Sequence, residues 1–383
     1  MTDAKQVWTI QRMLEWSYKY FQDNHIDTPQ LDAQILLGHV LGMTKMQLLL
    51  NGTRPLDASE LAAYKAFVIR RAKNREPVAY ILGTRGFWSL DLKVSPDVLI
   101  PRPDTECLVE KVLEFAQARL KGQPLPWADA SQAYVLTYET VDDRKSYYDA
   151  VEASEALEKK TEAWIEQEAS RLKNLSDDER QRAFETEIFG ADAPSGSSDT
   201  GSETSQVTAD VKREKLRIVD IGTGSGAIIL AIASELSSDA CELAAVDISP
   251  AALAVARENA AQCGLSDRIA FDVSDLLLNY QGNADIIVSN PPYISTSEML
   301  ELEPEVRKEP VLALEAGVDG LDIYKRLVPQ AFARLNARGA LFVEIGCTQS
   351  AAVEALFIQS GFRHVRTFKD YGHQPRVVFG IRD

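Results

Sequence analysis

Cysteine is scarce and unpaired. Cys107, Cys241, Cys263 and Cys347 are the only four in 383 residues, and no Cys-x-x-Cys spacing occurs. That argues against both a disulfide framework and a zinc knuckle. The four histidines, His25, His39, His364 and His373, are equally scattered, which argues against a histidine-built metal site. No run of about 18 apolar residues is present, so no membrane-spanning helix is expected. The opening MTDAKQVWTIQRMLEWSYKY lacks the apolar core of a secretory signal. A reducing, cytoplasmic setting follows as the expectation. Basic charge is also lacking. The net charge is −16, and residues 122–214 alone hold 10 Lys and Arg against 21 Asp and Glu, a net of −11. The flanking segments offer no strongly basic face for a nucleic-acid backbone.

What is present divides into four stretches. Residues 1–75 read as a small helical domain. Apolar residues recur at three- and four-residue steps in Val7, Ile10, Leu14 and Phe21, then in Leu31, Ile35, Leu36, Val40 and Leu41. Thr28-Pro29 marks a helix start, and Asp57 is a candidate cap for a helix over 58–73. Residues 76–121 alternate like strands, broken by Gly and Pro, and predict one or two hairpins followed by a helix over 105–120. Residues 122–214 read as an acidic insertion. Its first part is charged and helix-prone, and ADAPSGSSDTGSETSQVTAD should be disordered. Residues 215–383 alternate strand and helix: LRIVDIG, CELAAVD, RIAFDVSD, ADIIVSN and ALFVEIG, with helices between, then HVRTFKD and RVVFGI as a closing hairpin. This pattern predicts an α/β fold, a seven-stranded, mostly parallel Rossmann-like sheet with an antiparallel end.

Two motifs fall at strand ends. The first strand runs into Gly222-Thr223-Gly224-Ser225-Gly226, where glycines let the backbone turn sharply and approach a ligand. Asp247 ends the second strand, where a carboxylate can accept both hydroxyls of a ribose. Nicotinamide and S-adenosylmethionine sites share this pair. The spacing is G-x-G-x-G rather than G-x-G-x-x-G, although Ala227 satisfies the looser dinucleotide form. The second motif is Asn290-Pro291-Pro292-Tyr293, closing the fourth strand. Prolines fix the backbone there. The Asn290 side-chain oxygen and the Pro291 carbonyl then form two fixed acceptors, suited to a planar NH2 group with its two donors. Tyr293 can stack on a planar amide or base.

These motifs carry a family resemblance. The chain resembles the class I S-adenosylmethionine methyltransferases that modify exocyclic or amide nitrogens. It most resembles the protein-(glutamine-N5) methyltransferases of peptide chain release factors, the PrmC/HemK family. The matching stretches are EPVAYILGTRGFWSLDLKVSPDVLIPRPDTE, VDIGTGSGAIILAIA, IIVSNPPYI and DYGHQPRVVFG. The resemblance implies S-adenosylmethionine held by Gly222, Thr223, Gly224, Ser225, Gly226, Asp247, Asp275 and Leu276, with Asn290 beside it. It implies Asn290, Pro291, Pro292 and Tyr293 as the methyl-transfer residues, and no metal. It implies as partner the domain of release factors that carries the Gly-Gly-Gln tripeptide, held in part by the N-terminal helices. Neither nucleic acid nor membrane is an expected partner. Where the family often has an aromatic residue after Ser-Asp, this chain has Leu276, so an adenine would pack on an aliphatic side chain. The competing reading is an adenine-N6 nucleic-acid methyltransferase using the same Asn-Pro-Pro-Tyr logic. It needs a basic groove for a flipped base. A catalytically dead scaffold fits less well because the glycine loop, Asp247 and Asn-Pro-Pro-Tyr are all intact, and an oxidoreductase because Asn-Pro-Pro-Tyr has no part in hydride transfer.

Overall fold

The structure, a computed structural model, describes residues 7–123, 125, 127 and 215–383. The helical tendency expected in 141–189 and the disorder expected in 190–212 lie outside the described residues.

The chain begins with four helices: α1 (Ile10–Asp23), α2 (Pro29–Leu41), α3 (Lys45–Leu50) and α4 (Ala58–Lys73). Thr9, Thr44 and Asp57 cap α1, α3 and α4 with side-chain oxygens, and Thr44 and Asp57 form full capping boxes with Gln47 and Glu60. The periodicity overlooked α3, whose six residues span too few turns to register. It also misjudged one face. Leu31 and Ile35 of α2 are exposed, while Ala33, Leu36 and Leu37 face the core. This helix is apolar nearly all round, so spacing alone does not choose its inner face.

The stretch expected to be hairpins opens instead with a short helix, α5 (Val78–Leu82), between Pro77 and a left-handed Gly83. One hairpin follows, β1 (Thr84–Phe87) against β2 (Leu90–Lys93). Helix α6 (Glu106–Lys121) comes after a single 3-10 turn at Pro103–Thr105.

The remaining elements are β3 (Leu216–Ile221), α7 (Ala227–Glu235), β4 (Cys241–Asp247), α8 (Pro250–Gln262), β5 (Ile269–Val273), β6 (Ala284–Ser289), α9 (Asp322–Arg334), β7 (Leu335–Glu344), α10 (Ser350–Gln359), β8 (Arg363–Lys369) and β9 (Pro375–Arg382). The seven strands run in the order β5-β4-β3-β6-β7-β9-β8. The first five are parallel. β9 enters antiparallel between β7 and the edge strand β8. Successive residues of each central strand alternate between two cores. Ile218, Ile286 and Phe342 face α6 and α7, while Val219, Ile287 and Leu341 face α9 and α10. Burial on both faces explains why these strands read as continuous apolar runs. Phe115 of α6 meets Phe342 and Phe379 edge-on, at 5.6 and 5.8 Å between centroids. Leu125 and Trp127, at the head of the acidic segment, pack onto this same face, Trp127 edge-on to Phe368 at 5.1 Å.

The strand order reverses between β3 and β6. Both motif loops leave the carboxyl ends of these two neighbours, which is where open α/β sheets bind ligands.

Candidate functional site

The loop after β3 is built by its own backbone. Gly222 and Thr223 both donate N–H groups to the Val246 carbonyl, at 2.8 and 3.1 Å, and Gly226 donates to Thr223 at 2.8 Å. Gly224 has φ +55 and its N–H reaches Asp247 Oδ2 at 2.9 Å. A side chain at 224 would meet nothing within 4 Å. The penalty there is the left-handed backbone and the filling of the hollow in front of it. At Gly226, φ +82, an added Cβ would press on Leu230 and Ala256 at 3.1 and 3.3 Å. That glycine lets α7 pack against α8. Asn259 of α8 then clips three elements together, donating to Ser225 O (2.9 Å) and Lys93 O (3.0 Å) and accepting from Lys93 N (2.7 Å). The β1–β2 hairpin is thereby fixed beside the loop.

A cavity of about 220 Å³ opens in front of this loop. Its walls include Gly222, Thr223, Gly224, Ser225, Asp247, Asp275, Leu276, Asn290, Pro291 and Pro292. Ala227, Ile228, Ile248 and Leu276 make one side apolar. Leu276 itself sits at φ +52, a left-handed conformation uncommon for a residue with a Cβ and a strained feature often found at functional sites. Pro101, Arg102 and Thr105 of the linker also line the cavity, with Pro310, Leu312 and Ala313 from the long segment after β6. That segment is pinned by Glu309, which is buried. Its carboxylate accepts from Ile100 N at 2.9 Å and pairs with Arg102.

Two buried carboxylates flank the loop. Asp220 is fully buried behind the loop. Its Oδ2 accepts from Thr223 Oγ1 at 2.6 Å, while Oδ1 has no partner among the described residues. Burial, with a smaller contribution from the Asp247 charge, pushes its pKa up to about 7. Asp247 is also raised by burial, against the N–H groups of Ser249 and Gly224 that favour its charged form. The two arginines in the wall are already engaged, Arg102 by Glu309 and Arg326 by Asp275 at 2.6 Å. A folded-state pKa raised above the ordinary carboxylate value means ionisation opposes folding, so the Asp220 contribution to stability is present at low pH and is lost as pH rises toward 7. Asp220→Asn should therefore stabilise the ligand-free protein at pH 8 relative to pH 5 by about 1–2 kcal/mol. Urea melts at both pH values measure this, and an equal effect at the two would refute it.

Of the residues singled out from the sequence, the Gly222–Gly226 loop, Asp247, Asp275, Leu276, Asn290, Pro291 and Pro292 border or build this one cavity. Asp275 lies at the rim, in its ion pair with Arg326. Tyr293 is placed differently. It is not part of the cavity wall. Its ring packs on the core beneath β7, and burial pushes its pKa up to about 12. Its carbonyl accepts from Gln349 Nε2 at 2.9 Å. Two residues are not singled out by the sequence, Thr105 and Glu344, and a third, Asp220, is visible at the end of the first strand but carries no assigned role there. Thr105 accepts from Asn290 Nδ2 at 3.3 Å. Glu344, 1% exposed, lies behind that pair. Asp220 lies within β3, two positions before Gly222. Thr105 and Glu344 lie 185 and 54 positions from Asn290, and only the fold joins them.

Comparison with known proteins adds to this geometry. The PrmC N-terminal domain family matches residues 12–83, and the methyltransferase small domain family matches residues 194–306. The release factor glutamine methyltransferase of Geobacter sulfurreducens is 32% identical over 381 residues, 99% of each chain. That of Caulobacter vibrioides is 32% identical, covering 94% of this chain and 92% of its own. That of Bradyrhizobium diazoefficiens is 33% identical, covering 92% and 88%. With these likenesses running through the helical region and the sheet alike, the chain belongs to the release factor glutamine methyltransferase family.

Proposed function

We propose that this chain transfers the methyl group of S-adenosylmethionine to the side-chain amide nitrogen of the glutamine in the Gly-Gly-Gln tripeptide of peptide chain release factors. The observation that carries this reading is the meeting of two motifs in one cavity. Asn290-Pro291 leaves β6 beside the Gly222–Gly226 loop that leaves β3, its strand neighbour. Family membership supports the substrate class.

The residues fit the donor. Asp247 suits the ribose hydroxyls, and Leu276, Ile248 and Ile228 offer an apolar slot for the adenine. Asp247 in the wall, with Asp220 buried behind the loop, keeps this end of the cavity acidic, which suits a ligand bearing a sulfonium and an ammonium. When bound, that donor supplies an electrophilic methyl group. The protein supplies positioning. A carboxamide nitrogen is a weak nucleophile because its lone pair is delocalised, so holding it in line matters most. The Asn290 Oδ1 and Pro291 carbonyl are the acceptors for its two N–H groups, and they stabilise positive charge developing on nitrogen. Each such contact lowers the barrier by about 2–4 kcal/mol.

Labelled donor, incubated with release factor and with an adenine-bearing oligonucleotide in one tube, tests the assignment. Mass spectrometry should find the label on the tripeptide glutamine. Label on adenine alone would replace this reading with the nucleic-acid one. A separate expectation concerns the donor. Asp247→Ala should weaken its binding by about 2–3 kcal/mol, the loss of charge-assisted contacts. Part of that loss comes from releasing Gly224 N and Ser249 N, which Asp247 holds at 2.9 and 2.8 Å. Calorimetry showing unchanged affinity would remove Asp247 from the site.

A further inference from the structure

We infer that Glu344 is a positioning residue: acting through Thr105, it orients the Asn290 amide so that its oxygen faces the cavity. The inference rests on the proposed role of Asn290 and asks what sets the direction of that amide.

An asparagine side chain presents oxygen or NH2 depending on a rotation of 180°, and the two ends have nearly the same shape. Only an oxygen can accept from a substrate NH2. Something must therefore hold the NH2 end elsewhere. In the parallel pairing of β6 with β7, Ser289 lies opposite Val343. The next residues along, Asn290 and Glu344, are thus neighbours at the two strand ends. Thr105, 4% exposed and part of the cavity wall, stands at the same point, its Oγ1 3.3 Å from Asn290 Nδ2. Thr105 and Asn290 both favour the ionised form of Glu344, and Thr105 is the one that also holds the Asn290 amide.

The polarity of this chain of groups is set at its inner end. An ionised carboxylate only accepts. Thr105 must then give its hydroxyl proton to Glu344, which leaves its lone pairs to accept from Asn290. The NH2 end is drawn inward and Oδ1 is left toward the cavity. A protonated Glu344 can donate, and the chain can reverse. Thr105 then donates outward, Oδ1 turns in, and NH2 meets the substrate NH2.

The surroundings leave this switch within reach of ordinary pH. Facing Glu344 are Asp104 from the turn before α6, Cys107 of α6, Tyr293 after β6, Tyr324 of α9 and Arg376 of β9. Tyr324 donates to the Glu344 backbone carbonyl at 2.7 Å and leaves the carboxylate alone. Arg376 is shared with Asp370 at 2.9 Å and Asp104 at 3.4 Å. Glu344 Oε2 has no hydrogen-bond partner among the described residues. Burial is the largest influence and pushes the carboxyl pKa up to about 7, against the pull of Thr105, Arg376 and Asn290.

The test uses the full-length enzyme. At saturating donor and release factor, wild-type turnover should fall on the acid side with a midpoint near pH 7. Glu344→Gln should lower turnover about tenfold at pH 8.5, leave the KM for donor within about twofold, and lose that acid limb. Thr105→Val should lose turnover similarly, and Thr105→Ser should restore it. A second readout needs no substrate. In protein labelled with nitrogen-15 at asparagine, the Asn290 side-chain resonance, identified by its loss in Asn290→Ala, should shift with a midpoint near pH 7. It should stay still in Glu344→Gln. If the wild-type resonance does not move through that range, or if Glu344→Gln keeps the same acid limb, the inference is overturned. Should Glu344→Gln fail to fold, the wild-type titration and the Thr105 pair decide. A resonance that titrates as expected in an enzyme that leaves release factor unmethylated would refute the substrate assignment and not the positioning role.

Discussion

Replacing Asn290 with alanine should lower methyl transfer about 10²–10³-fold while leaving donor affinity nearly unchanged. Asn290 ends β6, and its amide is the only side-chain acceptor of the Asn-Pro-Pro-Tyr motif in the cavity wall. The variant removes one of two acceptors that fix the nucleophile, and it leaves a substrate N–H unpaired in a closed site. That pairs a lost transition-state contact with a desolvated donor, so both terms act in one direction. Donor contacts on the β3 and β4 side, at Gly222–Gly226 and Asp247, stay in place. Single-turnover kinetics with calorimetry separate the two quantities. A large loss of donor affinity with unchanged chemistry would move Asn290 from the nucleophile to the donor. Tyr293→Phe provides the contrast. Its ring lies outside the cavity wall and packs on the core, so loss of the hydroxyl should cost less than about threefold.

Much of this fold and site is legible in the chain itself. The seven strands were legible because parallel strands buried on both faces leave unbroken apolar runs, as in IIVSN and ALFVEI. The glycine loop and Asn290-Pro291-Pro292 were legible because backbone demands restrict residue choice there to Gly and Pro. The inner face of α2 was not, since apolar residues circle it. The short α5 was hidden because AYIL suits strand and helix equally, and only Pro77 and the left-handed Gly83 decide. At the site, residues acting through their own backbone neighbourhood were found, and those recruited across the fold were missed. Thr105 comes from the linker and Glu344 from β7. A buried glutamate near the end of an apolar run, VEIG, was the one available sign.

The same long-range logic governs the link between the helical region and the cavity, and it predicts the largest effect on stability. Arg71 of α4 is nearly buried between two carboxylates, Asp32 of α2 at 2.6 Å and Glu305 at 2.6 Å. Glu305 belongs to the segment after β6, and it also accepts from Arg75 at 3.0 Å. Four residues on, Glu309 ties that segment to Ile100 and Arg102 at the cavity wall. Arg71→Met keeps the volume and removes the charge. Arg75 still neutralises Glu305, so Asp32 is stranded, its one remaining side-chain partner among the described residues being Thr28 Oγ1 at 2.8 Å. An uncompensated buried charge of this kind should cost about 3–5 kcal/mol. An exposed pair sets the scale from the other side. Lys325 with Asp319 is about half exposed at both ends, and Lys325→Ala should leave the urea midpoint almost unmoved, because solvent screens the pair. Urea denaturation of both variants measures the difference. The cause is checked by a double variant. If the penalty is the stranded carboxylate rather than lost packing, Asp32→Asn added to Arg71→Met should recover more than half of it, because the neutral amide needs no counter-charge. A double variant as unstable as Arg71→Met would mean instead that the arginine holds the helices to the post-β6 segment by its shape and donors. Loosening would then reach Glu309 and the cavity, and release-factor KM should rise with the same variant.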